Sequence, residues 1–516
     1  MSFVEQPSVL RLQSIDNVCV AVRKLDQDTK IVIDNQSIRL SGPVEMGHKI
    51  ATRPIGVGEP VVKYGQVIGY ASRAVLPGDW VHTHNLQLGD PRQVDTGVRA
   101  PPRAVQPVLD RTFRGYRRAG GKTGTRNTIA VLSSVNCSAS VSKYIARRFG
   151  PSELRDFPNV DGVFAVTHGG GCGMPFGGTA HAMLNRVLAG FARHPNVGAY
   201  VLVGLGCEQA EIDYLLKQHQ LVRIGESAAQ GEAPPVLMIQ DLGGTTKTVE
   251  AGVEVVRRLL PQVNDARREE VPASDIILAV ECGGSDGHSG ITANPALGAA
   301  ADLVVACGGT VILSETTEIY GAEQLLTCRA RSAEVAEKLL DRIRWWKHYV
   351  GLFGAELDNN PSVGNKRGGL TTIAEKSLGA IAKGGSTVLE DVVQYAEPVT
   401  AKGLVVMDTP GYDPASVTGK VAGGANIVVF TTGRGSCFGC KPAPSIKVAT
   451  NTPMFQRMID DMDINAGTIL TGAPVAQVGQ TIFDEILAVA SGKRTKSELL
   501  GIGDEEYVPW TVGPML

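Results

Sequence analysis

Beyond residue 116 the chain repeats one pattern: a short run of Val, Ile, Leu and Ala that ends in glycine and a group of reactive side chains. The runs read "TIAVLSSV", "GVFAVTH", "AYVLVGLG", "PVLMIQDLGG", "DIILAVECGG" and "ADLVVACGGTVILSE". Short runs that are apolar throughout, with no alternation, are strands covered on both faces. Between them lie stretches of helical periodicity, among them "SASVSKYIARRF", "TAHAMLNRVLAGFARH", "KTVEAGVEVVRRLLPQV" and "SAEVAEKLLDRIRWWKHYV". This alternation confines the region to parallel sheets coated by helices, and it resumes past 400 in "GLVVMDTPGYD" and "ANIVVFTTGRGSCFG".

The first 95 residues differ. "NVCVAVRKL", "KIVIDNQSIRL" and "EPVVKYGQVIGYASRAV" are β-branched runs divided by Gly, Pro, Asn and Asp, with no helical segment between them. The expected fold class is therefore multidomain: a small N-terminal β domain over 1–95, then a large α/β region with mainly parallel sheets. A Pro-, Asp- and Arg-rich stretch, 96–115, reads as a linker. The α/β region is expected to divide into 116–398 and 399–516.

Composition excludes several classes. A chain of 516 residues with net charge −2 lacks the clustered basic excess of a nucleic-acid surface. No apolar run reaches the roughly 18 residues of a membrane span. The N-terminus lacks a basic segment followed by an apolar core, so a cytoplasmic protein is expected, with its nine cysteines as thiols or metal ligands.

In open α/β sheets, ligands bind outside the carboxyl ends of the strands. Cys137 follows one run, His168 and Cys172 a second, Cys207 and Glu208 a third, and Glu281, Cys282, Ser285 and Asp286 a fourth. Arg434, Cys437, Cys440 and Lys441 follow a later one. One such cysteine alone is as readily a small buried hydrophobe; four at four strand ends read as a shared rim. No G-x-G-x-x-G of the right spacing and no P-loop occurs, so no nucleotide cofactor is expected. Cys437 and Cys440 form a lone C-x-x-C, open to a zinc half-site, a redox pair or a loop near a ligand. His82 and His84 share one strand face, which suits a metal or an anion, and His48 stands with them. "GYRRAGGKTGTRN", with Arg126, and "NNPSVGNKRGG", with Lys366, set cations among glycines as an anionic substrate requires.

Taken together, "ECGGSDGHSGITANP", "GLGCE", "NPSVGNKRGG", "EKSLG", "TTGRG" and "DMDINAG" resemble the altronate/galactarate dehydratase family. "EMGHKIA", "VVKYGQVIGYA" and "VHTHN" resemble its N-terminal SAF domain, and "DNQSIRL" leans toward the altronate branch. The resemblance implies a metal-dependent hydro-lyase that converts a sugar acid to a 2-keto-3-deoxy acid. It implies Fe2+, with Mn2+ or an iron–sulfur cluster as alternatives, on Cys137, His168, Cys172, Cys207, Glu281 and Cys282. His48, His82, His84, Glu208 and Asp286 are then the acid/base candidates. Arg126, Ser285, Thr292, Asn294, Lys366 and Arg434 are the substrate-binding candidates. The expected partner is a small sugar acid, with no nucleic acid or membrane and with homo-oligomers open. An iron–sulfur or NAD-linked oxidoreductase and a non-catalytic sugar-acid sensor are the rival classes.

Overall fold

A computed structural model of the chain describes residues 7–89, 102–224 and 233–511. Residues 90–101, including the first six residues of the expected linker, lie outside the described residues.

The N-terminal unit is all β. Val9–Leu10, Val18–Ala21, Lys49–Ala51 and Trp80–Val81 form one antiparallel sheet in that order. Two hairpins, Lys30–Ile33 with Gln36–Arg39 and Pro60–Lys63 with Gln66–Ala71, project from it. Their turns, Asp34-Asn35 and Tyr64-Gly65, have positive φ at both central positions, the turn geometry that matches strand twist.

The second unit is a parallel sheet. Its strands are β1 (Thr128–Ser133), β2 (Gly162–Val166), β3 (Val197–Gly204) and β4 (Val236–Met238), ordered β2-β1-β3-β4. Helices α1 (Ala139–Ala146), α2 (Thr179–Ala192), α3 (Ile212–His219) and α4 (Thr245–Asn264) connect or cover them.

The third unit is a seven-stranded parallel sheet. It contains β5 (Ile277–Cys282), β6 (Thr310–Leu313), β7 (Leu389–Val393), β8 (Gly403–Met407), β9 (Ile427–Thr432), β10 (Ser445–Ala449) and β11 (Ile464–Asn465). The order is β7-β8-β6-β5-β9-β10-β11. The expected division at 398/399 falls inside this sheet. Strand β8 pairs with β6 and β9 with β5, so the two stretches share ladder hydrogen bonds and one core. The structural boundary lies earlier, where Thr112–Arg117 pairs with Glu269–Pro272.

One expected strand splits. In "ADLVVACGGTVILSE" the first six residues end helix α5 (Ala293–Ala306), and only Thr310–Leu313 is strand. Helix α5 is buried on several faces beneath the helix Val475–Ala490, and a helix without a polar face carries no legible period.

Buried charge docks the N-terminal unit. Helix α6 (Ile373–Ile381) presents Glu375, which is fully buried and accepts from Lys49 Nζ at 2.8 and 3.0 Å and from Lys63 Nζ at 2.8 Å. Lys49 also donates to the Gly369 carbonyl at 2.7 Å. Two lysines from the β unit thus close on one carboxylate of the third unit, and removing that carboxylate strands both cations in the interior. Glu375→Ala is expected to destabilise the protein by about 3–5 kcal/mol. Urea unfolding, with limited proteolysis to detect early release of residues 7–89, checks this.

Candidate active site

The third sheet reverses its strand order between β5 and β9, the topological position where such sheets bind ligands. Strand β5 ends in Glu281 and Cys282, and the loop after β6 brings Glu315 and Glu318 alongside. The turn after α6 supplies Lys383, and helix α7 (Asp413–Ala422) supplies Asp413, Ser416 and Lys420.

These side chains form an alternating, buried array. Lys383 Nζ lies 2.7 Å from Cys282 Sγ and 2.6 Å from Glu315 Oε2. Lys376 donates to Glu318 Oε1 at 2.6 Å and to Asn360 Oδ1 at 2.9 Å. Glu281 accepts from Lys420 and, at 2.8 Å, from Ser416. Yet Glu281 Oε1, Glu315 Oε1 and Glu318 Oε2 are buried without a partner. Ligand atoms of Cys282, Glu315 and Glu318 lie within 4.8 Å of one another, as do those of Glu281, Glu315 and Asp413.

The environment separates the acids. Burial, reinforced by Glu315, raises the Glu281 carboxyl well above the ordinary range. Glu315 is held low because the charges of Lys383 and Lys420 outweigh burial. Cys282 is pushed up to about 12 by burial. Asp413 is pushed up to about 7 by burial and by Glu315 and Glu318, which puts a proton-exchanging group at neutrality. Gly283 makes room for it: a Cβ there would sit 2.0 Å from Asp413 Oδ2.

The array opens on a cavity of about 290 Å³ whose walls include Cys282, Glu318, Asn360, Lys376, Asp413 and Arg434. This is the small end of the range for ligand sites, and its lining is polar. Three lysines, a thiol and four carboxylates at a strand-end cavity are the equipment of proton transfer beside a bound anion.

Comparison with known proteins matches each of the three units. The description "Altronate/galactarate dehydratase SAF domain" matches residues 7–89, and "D-galactarate dehydratase/Altronate hydrolase, second domain" matches 115–264. "D-galactarate/Altronate dehydratase, C-terminal" matches 273–515. The galactarate dehydratase (L-threo-forming) of Escherichia coli K12 is 37% identical over 505 residues, 96% of this chain and 95% of the relative. The altronate dehydratase of the same organism is 35% identical over 491 residues, covering 95% and 96%. That of Bacillus subtilis 168 is 34% identical over 466 residues, 90% of each chain. The chain belongs to the altronate/galactarate dehydratase family. It is accordingly a hydro-lyase whose β unit is a SAF domain.

Against this geometry the family residues singled out in the sequence fall into three groups. Cys282 and Arg434 line the cavity, Glu281 lies buried behind them on Lys420 and Ser416, and Ser285 has a buried unpartnered hydroxyl. A second group braces the site from behind. Asp286 is buried, accepting from Ser289, Thr450, Asn451 and the His288 amide. Thr292 donates to the carbonyls of His288 and Thr450, and Asn294 bridges Gly379 and Thr431. Their hydrogen-bonding capacity is used within the fold.

The SAF histidines do reach the third unit, but at its backbone. His82 Nε2 donates to the Lys366 carbonyl at 2.9 Å, and His48 Nε2 donates to that of Arg367 at 3.2 Å while its Nδ1 accepts from Trp80. They steady the segment 363–367, which carries Asn365 into the cavity wall. Lys366 contributes its carbonyl here, and its side chain is not among the residues of the cavity wall. His84 is exposed and packs on Trp80.

The third group lies elsewhere. Arg126 is 3% exposed, with its guanidinium on Glu498 at 2.6 Å and on the carbonyls of Thr125, Val489 and Lys493, so it staples the second and third units. Glu208 accepts from Ser134, Leu205 and Gly206 in the second unit. His168 uses both ring nitrogens, on the Ser133 carbonyl and the Gly170 amide, and is closed to a metal. Cys137, Cys172 and Cys207 sit on the second sheet, away from Glu281 and Cys282 on the third. The expected metal set is therefore divided between two sheets. Cys440 is buried beside its exposed neighbour Cys437.

The sequence reading passed over Lys376, Lys383, Lys420 and Asp413. Its available signal was lysine in otherwise apolar segments, "IAEKSLGAIAKGG" and "ASVTGKVAGG", where an unpaired charge is not tolerated.

Burial lowers His82 to about 4 from its ordinary 6.5. The unfolded chain therefore binds this proton first, so stability is complete above pH 6.5 and is lost as pH falls toward 4. The loss through His82 is on the order of 3 kcal/mol. Urea midpoints measured between pH 7 and 4 are expected to fall less steeply for His82→Gln than for the wild-type protein.

Proposed function

We propose that this chain dehydrates D-altronate to 2-dehydro-3-deoxy-D-gluconate and water, by removal of the C2 proton and loss of the C3 hydroxyl. The observation that carries the choice is the charge on the cavity wall. Lys376 is already committed to Glu318, and Arg434 is the wall cation with no ion-pair partner among the described residues. One such cation serves one carboxylate, whereas a second carboxylate would face Glu318 and Asp413. Galactarate, giving 5-dehydro-4-deoxy-glucarate, is the second reading, favoured by the relative at 37% identity.

In this reading Arg434 holds the substrate carboxylate and offsets the charge that develops as C2 loses its proton. Asp413, in the cavity wall, moves that proton. Asn360 and Asn365 bind hydroxyls and fix which carbon faces Asp413. A divalent ion, Fe2+ ahead of Mn2+, belongs to the proposal, with Cys282, Glu315 and Glu318 as the residues that would hold it. The unpartnered carboxylate oxygens of Glu315 and Glu318 support that donor set. When bound, the ion supplies Lewis acidity toward substrate oxygens.

Metal-depleted protein is reloaded under anaerobic conditions with Fe2+, Mn2+, Mg2+ or Zn2+ and offered altronate, galactarate, glucarate and gluconate. Formation of 2-keto-3-deoxy acid from altronate with iron is expected; turnover of galactarate alone overturns the substrate choice. Asp413→Asn is expected to lower kcat by about 10²–10⁴-fold with KM little changed. Arg434→Ala is expected to raise KM by roughly 10–100-fold, the loss of a charge-assisted contact. Steady-state kinetics on altronate separates the two effects.

A further inference from the structure

Glu315 has a backbone conformation that glutamate rarely adopts. Its φ of 62° and ψ of 60° lie in the left-handed region, which glycine, Asn and Asp enter readily and longer side chains seldom do. Asp34, Asn35 and Tyr64 take positive φ in hairpin turns. Glu315 takes it fully buried, just beyond strand β6, where its carboxylate meets Lys383. Such a conformation persists only where the surroundings over-determine it.

The surroundings here are the end of the neighbouring strand. Strand β8 pairs with β6, and the two residues that follow it are Asp408 and Thr409. The Glu315 amide donates to Thr409 Oγ1 at 2.8 Å, and the next amide, that of Thr316, donates to the Thr409 carbonyl at 3.1 Å. In return the Thr409 amide donates to Thr316 Oγ1 at 3.2 Å. Thr316 Oγ1 donates to Asp408 Oδ1 at 2.7 Å, and Trp346 Nε1 donates to the same oxygen at 2.8 Å. Trp346 belongs to the helix Ala333–Gly351, is fully buried and stacks on Trp510 at 5.0 Å, so this support is rooted in an outer helix. Thr316, Trp346, Asp408 and Thr409 are not among the residues of the cavity wall.

The Thr409 hydroxyl reaches a second acid as well. It donates to Ser416 Oγ at 3.1 Å, and Ser416 donates to Glu281 Oε2 at 2.8 Å. The turn that it anchors also carries Glu318, whose amide donates to the Glu315 carbonyl at 2.7 Å.

We propose that Asp408 and Thr409 are positioning residues of the active site. The Thr409 hydroxyl, with Thr316 pinned by Asp408, holds Glu315 in the left-handed conformation that turns its carboxylate onto Lys383. Turning φ to a negative value redirects the Cα–Cβ bond and takes the carboxylate off that lysine. The role in turnover rests on the reading of this array as the site of dehydration; the role in the conformation of Glu315 does not.

Thr409→Val removes the acceptor while keeping the shape, and Thr409→Ser retains it. In crystals of Thr409→Val, Glu315 is expected at negative φ with its carboxylate away from Lys383; in Thr409→Ser it is expected to keep its positive φ. On the sugar acid that the wild-type protein turns over, Thr409→Val is expected to lower kcat about 10²-fold, the cost of a displaced site group. Thr409→Ser is expected to restore kcat to within about 3-fold of the wild type, since the hydroxyl is back in place. Added to Glu315→Gln, the valine is expected to lower kcat further by less than about 3-fold, because two changes that act through one group do not multiply. If Thr409→Val does not fold, Thr316→Val, which cuts the link to Asp408, replaces it in each measurement. A left-handed Glu315 in the valine variant, a serine variant no better than the valine, or the full loss repeated on top of Glu315→Gln each overturns the inference. The crystallographic readout needs no substrate. A wild-type protein that turns over none of the acids therefore counts against the proposed reaction, and the φ of Glu315 still decides this inference.

Discussion

Five buried lysines, Lys49, Lys63, Lys376, Lys383 and Lys420, each meet a carboxylate, and those pairs organise this protein. Helix α6 takes part twice in succession. Glu375 turns toward Lys49 and Lys63 of the SAF domain, and Lys376, the next residue, turns toward Glu318 in the cavity wall. Docking of the N-terminal unit and assembly of the site are thus carried by neighbouring residues of one helix. Beyond it, Lys383 with Glu315 and Lys420 with Glu281 continue the pairing across the ends of β5 and β6. Such pairs add little net stability over an apolar core, but each partner is indispensable to the other. They serve instead to fix where acids and bases stand, and to set them apart in proton affinity at close range.

The second constraint is the parallel sheet. Every β-α unit sends its strand ends to one edge, so functional side chains accumulate there whatever their separation in sequence. This chain does so twice, with a thiol rim on the four-stranded sheet and an acid–lysine rim on the seven-stranded one. The SAF histidines stand behind the second rim. His48 and His82 stack at 5.2 Å and donate to successive carbonyls of 366 and 367, holding a wall segment by its backbone.

Much of this was legible in the sequence. Apolar runs of strand length ending in glycine located the sheets, and the same endings located Glu281, Cys282, Arg434 and the three thiols. What escaped was of two kinds. Helix α5 read as a strand because a helix buried on several faces loses its polar stripe, and with it the period that identifies it. The division at 398/399 failed because strand order is not written along the chain: β8 slots between β6 and β7, and β9 returns to β5.

The sequence by itself determined the class of fold, the family and the inventory of reactive groups, because periodicity and residue type are local properties. Tertiary structure alone decided which groups share a site. Arg126, Asp286, Thr292 and Asn294 look like substrate ligands in one dimension, yet the fold uses their polar atoms on itself. Lys376, Lys383 and Asp413 look like isolated charges, yet the fold gathers them around Glu315 and Glu318. The physical reason is burial. Away from water a charge takes its meaning from neighbours contributed by other strands and helices, and those neighbours are set by how the sheets close rather than by position along the chain.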